Sequence, residues 1–426
     1  MGRMRLKKIL LQARQEIQSY SKSEKLFLIF AMICGFFITA EYAITKPTSN
    51  SIFIAHYGMK LYPYAWLATV PLNLIIVTLY NRFLPKLGCF RMFLCSVALT
   101  IGINTLAGLY VAEHSFLSFV LYVWKDIYVL LMFQQLWSVI HTKTEMSKAK
   151  YLYGILFGVS GCGAIVGSMA PSFLAVRMGS EHLLLMTIPL YLLFCIFYFL
   201  MLQKSGYLTP EKLQIASHKT SKGFQLIRSS KSLKFILLIV ILMQLSTTIM
   251  DFQFNTFLQH KFPMQDLRTQ FYGRLWGTIN TCKLCLQFFA TFLLVQFLGL
   301  RNSHFVVPGV LLCNATLSLL FPSFGMITYS FGVIKTFDYS IFNIIKEMLY
   351  VPLKTDEKFK AKAIIDVFAY RSAKAFASLF VIGMQIFHPL NLPYAFSWGP
   401  LTLFLIWIGA VCVLLKHPHT EKALEA

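Results

Sequence analysis

Charged residues are scarce in this sequence of 426 residues, and acids are the scarcest: the charged share is 13%, with 17 acids against 39 lysines and arginines. Hydrophobic residues make up 57% of the chain, and the mean hydropathy is +0.63. This balance excludes an ordinary soluble domain and predicts a polytopic membrane protein. The formal net charge of +22 is also typical of nucleic-acid-binding proteins, so the positions of the bases must decide between the two classes.

The sequence also lacks the motifs of an enzyme that binds a metal or hydrolyses a nucleotide. Its nine cysteines show no paired pattern, and only Cys282 and Cys285 have a metal-like spacing, without a second pair or a nearby His cluster. Neither a GxGxxG motif nor a GxxxxGKS/T phosphate loop occurs. No His/Asp or Ser/His set shares a helix face. We therefore expect no catalytic residues, no metal site and no cofactor.

Twelve apolar runs, each of about 18 to 25 residues, are long enough to cross a bilayer as helices. Their approximate ranges are 25–45, 62–82, 90–111, 116–140, 151–176, 182–202, 233–258, 273–298, 303–320, 323–345, 363–387 and 394–415. The connections are short except for the polar stretch 203–232, which divides the chain into 1–202 and 233–426. The sequence thus predicts an all-α membrane protein with two six-helix halves. Without a signal-peptide cleavage pattern, the first span is predicted to be a retained anchor.

The lysines and arginines test this map, because cytoplasmic loops of membrane proteins are rich in them. With the N-terminus in the cytoplasm, 28 of the 39 bases fall in or beside cytoplasmic segments, 6 on the opposite side and 5 inside spans. This asymmetry explains the net charge as topology, so no nucleic acid is needed as a partner. Both termini are predicted to be cytoplasmic.

Span five is crowded with glycine, at positions 154, 158, 161, 163 and 167. Small residues at such spacings let two membrane helices approach closely. We therefore expect these glycines to form a helix contact rather than a ligand site.

Ten charged residues lie in or near the predicted spans, although an ionised side chain at mid-bilayer costs about 2.5–3.5 kcal/mol on insertion scales. The bases are Lys125, Lys283, Lys335, Arg371 and Lys374, and the acids are Glu41, Asp126, Asp251, Asp338 and Asp366. One interpretation is ion pairing that holds helices together, as between Lys125 and Asp126 or between Lys335 and Asp338. The other is a water-filled central cavity between the two halves, where the bases favour an anionic substrate.

Polar stripes on the helices favour the cavity. Span seven carries Gln244, Thr248, Asp251 and Asn255 on one face, and span eleven carries Asp366, Tyr370 and Lys374 at steps of four. Arg371 and Lys374 are three residues apart, so they can reach one ligand together.

Several segments resemble the ATP/ADP translocase family of nucleotide transporters in plastids and in obligate intracellular bacteria such as chlamydiae and rickettsiae. The longest match is "EMLYVPLKTDEKFKAKAIIDVFAYRSAK" at 347–374. Two others are "WSVIHTKTEMSKAKYLYGILFGVSGCGAIVGS" at 137–168 and "MDFQFNTFLQHKFP" at 250–263, with a weaker one at "EYAITKPTSNSIFI", 41–54. The resemblance implies a major-facilitator-like fold, in agreement with the six-plus-six division.

The resemblance also implies four charged positions that handle the nucleotide. Two are retained in kind, the acid at Asp251 and the base at Lys374. Two depart from the family pattern. After span one the chain has only Lys46, with Ser49 and Asn50 where charges are usual, and the acidic position of span four falls on Lys125, with Asp126 next to it.

These observations predict a transporter of the bacterial inner membrane that moves a nucleotide, by exchange or uptake, through alternating access. Lys46, Lys125, Arg371 and Lys374 would contact phosphate; Asp126 and Asp251 would coordinate a base, a countercharge or a proton; Asn255 would join them. The alternative is a proton-coupled carrier of another anionic metabolite, and the least favoured is a membrane-embedded enzyme. The expected partners are the substrate and the lipid bilayer, with the protein as a monomer.

Overall fold

The structure is a computed structural model, and it describes residues 20–143, 149–205, 227–228, 230–293, 299–350, 365, 369–387 and 392–415. The regular secondary structure of these residues is entirely helical, so the predicted all-α class is confirmed for them. The α-helices are α1 Lys22–Tyr57, α2 Tyr62–Tyr110, α3 Phe116–Lys143, α4 Ala149–Met178, α5 Ser180–Leu185, α6 Thr187–Ser205, α7 Lys231–Lys261, α8 Gln265–Leu293, α9 Gly299–Leu320, α10 Phe324–Phe337, α11 Asn343–Tyr350, α12 Tyr370–Phe387 and α13 Leu392–Leu415. A π-helical segment, Asp338–Phe342, joins α10 to α11.

Eight helical segments in the described part of the chain are long and apolar enough to cross a membrane. They are Lys22–Tyr57, Tyr62–Tyr110, Phe116–His141, Gly154–Met178, Ser180–Ser205, Ser232–Lys261, Asn302–Leu320 and Phe396–Val413. The chain is therefore a multi-pass helical membrane protein, as predicted. The count of twelve spans and the division into two six-helix halves stay predictions.

The helix α2 covers two predicted spans. Its 49 residues are interrupted at Gly88, whose φ of 75° and ψ of 166° are not helical. A helix of this length extends roughly 70 Å, more than twice the bilayer core of about 30 Å. The interruption falls between the predicted spans 62–82 and 90–111. Since a positive φ favours glycine, Gly88 supplies the break that two crossings require.

The helix α1 is longer than predicted. The first span was expected to end at 45, but α1 runs through Pro47 to Tyr57. The polar run after Lys46 is helical and largely buried, and two of its hydroxyls bond to their own helix. Thr48 Oγ1 donates to the Ile44 carbonyl at 2.7 Å, and Ser49 Oγ donates to the Lys46 carbonyl at 3.1 Å. Such bonds let a polar segment remain helical away from water. Lys46 therefore lies inside α1 rather than after it.

The residues fall into two compact units. Unit 1 comprises Met1–Ile52, Asn73–Gln214 and Thr269–Gly277, and unit 2 comprises Phe53–Leu72, Ile215–Arg268 and Thr278–Ala426. The predicted boundary at the linker 203–232 lies mostly outside the described residues, so it stays a prediction.

In unit 1, α4 packs closely against α1, and the predicted glycine contact is confirmed at two positions. A Cβ at Gly163 would meet the backbone of Phe36, and one at Gly167 would meet the backbone of Ala40. Thr39 Oγ1 donates to the Ser160 carbonyl at 2.5 Å across the same contact. The two glycines let the helices approach closely, and the hydrogen bond from the Thr39 hydroxyl joins them at that contact.

In unit 2, α7 packs against α10, α12 and α13. Its polar stripe is consequently inside the unit: Gln244, Thr248 and Asn255 are buried, and Asp251 is partly buried. The stripe predicted from the spacing of these residues therefore points at neighbouring helices, where it meets the charges of α10.

Candidate functional site

The centre of unit 2 is an ion pair between α7 and α10. Lys335 Nζ lies 3.1 Å from Asp251 Oδ2, and the two side chains are 7% and 25% exposed. Asn255 Nδ2 donates to Asp251 Oδ1 at 2.9 Å, which fixes the other carboxylate oxygen. A buried ammonium needs such a partner, because an unpaired charge inside the bundle would lose its hydration without compensation. Lys335 thereby positions Asp251, a role that sequence reasoning did not give it.

Asp338 has a different partner. It begins the π-helical segment, is buried, and accepts hydrogen bonds from Gln244 Nε2 at 3.2 Å and 3.4 Å. The proposed pairing of Lys335 with Asp338 rested on their spacing along one helix. Lys335 instead forms its ion pair with Asp251, since the packing of α7 against α10 brings that carboxylate to the ammonium.

The predicted phosphate ligands of unit 2 lie on α12. Arg371 and Lys374 are both partly buried. Lys374 Nζ lies 5.4 Å from the centroid of the Trp66 indole ring, within the range of a cation–π interaction. Trp66 is buried and in turn meets Tyr62 edge-on, with 4.9 Å between ring centroids. Asp366 lies outside the described residues.

Lys125 and Asp126 form an ion pair in unit 1. Lys125 Nζ lies 3.1 Å from Asp126 Oδ1, and Tyr42 of α1 donates its hydroxyl proton to the same oxygen at 3.2 Å. The ammonium also lies 3.9 Å from the centroid of the Tyr122 ring. Pairing of these neighbours was one of the two interpretations, and the structure shows it. The contact with Tyr42 ties α3 to α1 at this point.

Lys46 has an aromatic partner that the sequence did not reveal. Its ammonium lies 3.5 Å from the centroid of Trp276, on the part of α8 that belongs to unit 1, and 5.6 Å from that of Tyr42. Gly273 and Gly277 bracket Trp276 and let α8 approach Ser168 and Ser172 of α4. This small-xxx-small spacing was the available signal for a close helix contact at Trp276.

Glu41 is a second residue that the predicted site omitted. It is 2% exposed on α1. Its carboxylate accepts hydrogen bonds from the Tyr128 hydroxyl of α3 at 2.6 Å and from Thr45 Oγ1 at 2.5 Å. The signal in the sequence was the acid itself, inside an apolar span. Each unit therefore contains an acid within its helices: the partly buried Asp251 is bonded to a base, and the buried Glu41 is bonded to hydroxyl groups.

Comparison with known proteins supports the prediction that this chain is a transporter. The TLC ATP/ADP transporter family matches residues 323–416, from α10 to the end of α13, which confirms the predicted family resemblance there. A search of curated proteins finds no significant relative. Among solved structures, a D-xylose-proton symporter is similar in fold, with a TM-score of 0.64 and 13% sequence identity over 92% of this chain and 97% of that one.

Proposed function

We propose, from the premise that this membrane transporter resembles the ATP/ADP transporter family over 323–416, that it carries a nucleotide across the bacterial inner membrane. The observation that carries the proposal is the family match itself, because it includes Arg371 and Lys374 on α12. A guanidinium and an ammonium one helical turn apart suit a phosphate group, which offers several acceptor oxygens and negative charge.

The aromatic rings beside two of the bases support this substrate class. Lys46 lies over Trp276 and Lys374 lies over Trp66. A cation–π interaction holds an ammonium over an aromatic ring. By contrast, the carboxylates beside Lys125 and Lys335 already neutralise those charges. Lys46, Arg371 and Lys374 are the phosphate ligands that we propose, and Lys125 and Asp126 act as a pair.

The transport mechanism that we propose is alternating access, with Asp251 and Asn255 beside the substrate path and Lys335 holding Asp251 in position. Asp251 is the more exposed member of its ion pair, which leaves part of its carboxylate available to a ligand. The protein would act as a monomer in the membrane, with nucleotide as its substrate and no nucleic acid as partner.

Uptake into bacterial cells that express the protein tests the substrate class. We expect radiolabelled ATP or another nucleotide to accumulate above the level of cells carrying an empty vector, and unlabelled ADP to compete. Competition by sugar phosphates alone would favour the alternative carrier of another anionic metabolite. The matched control is Lys204→Gln, which removes an exposed base near the end of α6 and should leave uptake unchanged.

The orientation that we propose places both termini and the loops 203–232 and 347–362 in the cytoplasm. A cysteine introduced near Lys219, in an otherwise cysteine-free protein, should not react with a membrane-impermeant reagent in sealed cells. Reaction of that cysteine would show that the proposed topology is inverted, and it would leave the proposal about the substrate untouched.

A further inference from the structure

Glu41 lies at a point in unit 1 where four helices close around a single acid. On α1 itself, Thr45 bonds to the carboxylate from one turn further along. Tyr128 of α3 bonds to it at 2.6 Å. Tyr191 of α6 and Asn104 of α2 also face this carboxyl group. We call these five residues the Glu41 site.

Within the described residues, no lysine, arginine or histidine forms an ion pair with Glu41. The comparison with Asp126 and Asp251 is direct, since each of those acids has an ammonium at 3.1 Å. Glu41 is 2% exposed, and the polar side chains that face its carboxyl group among the described residues are hydroxyls and one amide. Burial without a countercharge disfavours the ionised carboxylate, whereas the neutral acid is tolerated in such a site.

The Glu41 site also contains polar atoms that could form further hydrogen bonds. The Tyr191 hydroxyl and Asn104 Oδ1 are buried and form no hydrogen bond of normal geometry within the described residues. An acid that gains a proton needs a new acceptor, and one that loses it needs a further donor. An amide oxygen can meet the first need and a phenol hydroxyl the second. Both charge states of Glu41 can therefore be satisfied by small movements of side chains that are already in place.

In the part of the chain that the structure describes, the titratable groups that face the Glu41 carboxyl group from other helices are two tyrosines. Tyr128 and Tyr191 face the carboxyl group from α3 and α6, and α2 contributes the neutral Asn104. The helix α4 meets α1 here through Gly163 and Gly167, which carry no titratable side chain. The nearest charges along the chain have their own partners. Asp126, which accepts from Tyr42 beside Glu41, pairs with Lys125, and Lys46 lies over Trp276.

We propose that Glu41 is a proton-binding site, and that its protonation couples a proton gradient to substrate movement. This inference rests on the proposed transport function and deepens it. The carboxylate takes one proton from water on one side of the membrane and becomes a neutral carboxylic acid. It releases that proton to water on the other side, with no other bond made or broken. One proton per cycle compensates one negative charge of an anionic substrate.

Infrared difference spectroscopy tests proton binding without any substrate. Purified wild-type protein, titrated over pH, should show the C=O band of a buried carboxylic acid that appears and disappears with pH. The band should be missing from Glu41→Gln, which keeps the shape and one hydrogen-bond acceptor, and retained in Glu113→Gln, which changes an exposed acid between α2 and α3. An unchanged band in Glu41→Gln would overturn the assignment, whether or not the protein transports nucleotides.

Proteoliposomes test the coupling, with the membrane potential clamped. A gradient of one pH unit, alkaline inside, should raise the accumulation of labelled nucleotide by up to about tenfold for each proton carried. In Glu41→Gln this response should vanish, whereas exchange of internal for external nucleotide continues. Glu41→Asp, which keeps a titratable group, should retain part of the response. If nucleotide exchange by the wild type does not respond to the pH gradient, the proposed coupling is wrong and the nucleotide proposal stands. If the wild type shows no nucleotide exchange at all, the nucleotide proposal is wrong.

Discussion

Glu41 in unit 1 and Asp251 in unit 2 are both acids inside a helical bundle, and their surroundings differ in kind. Asp251 has an ammonium on one oxygen and an amide on the other. Glu41 has two hydroxyl donors and is almost fully buried. The Asp251 carboxylate joins α7 to α10 through Lys335, whereas the Glu41 carboxyl group, bonded to hydroxyls, is the one that we propose to bind and release a proton.

The contacts of four bases also differ. Lys125 and Lys335 have carboxylates at 3.1 Å. Lys46 and Lys374 have indole rings, at 3.5 Å and 5.4 Å from the ring centroids. Loss of Lys125 or Lys335 should reduce stability, because each ammonium is held by a carboxylate. Loss of Lys46 or Lys374, which we call the ring-covered bases, should reduce affinity for an anion, as expected of the phosphate ligands that we propose.

The largest expected effect comes from Asp251→Asn, because it leaves the ammonium of Lys335 buried without its partner. Breaking a buried pair in this way typically costs about 3–5 kcal/mol, and we expect the lower end because Asp251 is 25% exposed. The double variant Asp251→Asn with Lys335→Met should recover most of the lost stability. Thermal unfolding of purified protein and abundance in the membrane measure both.

The outcome also tests what Asp251 contributes to transport. Normal stability of Asp251→Asn together with lost uptake would mean that Asp251 serves the substrate path, as proposed, and that its ion pair with Lys335 does not stabilise the protein. Non-additivity in the double-mutant cycle is the quantity to report, since contacting residues couple and distant ones do not.

The second effect concerns the close helix contact beside Glu41. In Gly167→Ala the new Cβ would meet the backbone of Ala40, which cannot move as a flexible side chain can. Overpacking of this kind costs typically about 1–3 kcal/mol. Gly154→Ala on the same helix is the matched control, because nothing lies within 4 Å of a Cβ there. Equal unfolding temperatures of the two variants would contradict the packing of α4 on α1.

Sequence reasoning reached the class of fold because apolar length and charge placement are local properties. It placed the interruption near Gly88 between two runs, and it identified the glycines that contact α1 from their spacing. It ended α1 too early, since hydropathy cannot register that Thr48 bonds to its own helix. It also treated predicted span ten as one helix, although a π-helical segment begins at Asp338.

The candidate site was predictable in its charges and not in their partners. The spacing of Lys335 and Asp338 suggested a pair within one helix, but tertiary packing gave Lys335 to Asp251. Trp66 and Trp276 carry no charge and stand among many aromatic residues, so nothing in their local sequence indicated that a lysine would lie over each ring. Contacts between helices that are distant in the chain are set by packing, which a single sequence does not specify.

The third effect is the loss of nucleotide affinity when the bases of α12 are changed. Lys374→Gln should weaken nucleotide binding by about ten- to a hundredfold, since a hydrogen bond to a charged group is worth about 1.5–3 kcal/mol. Arg371→Lys should do so less, because lysine keeps the charge and loses the fork. Binding of labelled nucleotide to purified protein measures both. Unchanged affinity in both variants would place the phosphate site elsewhere.

The smallest effect concerns the two indole rings. Phenylalanine keeps an apolar ring but attracts a cation less strongly than tryptophan does, so Trp276→Phe should cost about 0.5–1 kcal/mol of the interaction with Lys46. Trp66→Phe should cost less, because Lys374 lies 5.4 Å from that ring, against 3.5 Å for Lys46 and Trp276. If the rings hold the ammonium groups ready for phosphate, both variants should weaken nucleotide binding about two- to fivefold or less, Trp276→Phe by more. Because both indoles are buried, the smaller ring should also lower the unfolding temperature, so binding is measured on protein shown to be folded. The same loss in a Lys46→Gln background would show that Trp276 acts independently of the ammonium, and would end the distinction between ring-covered and paired bases at that position.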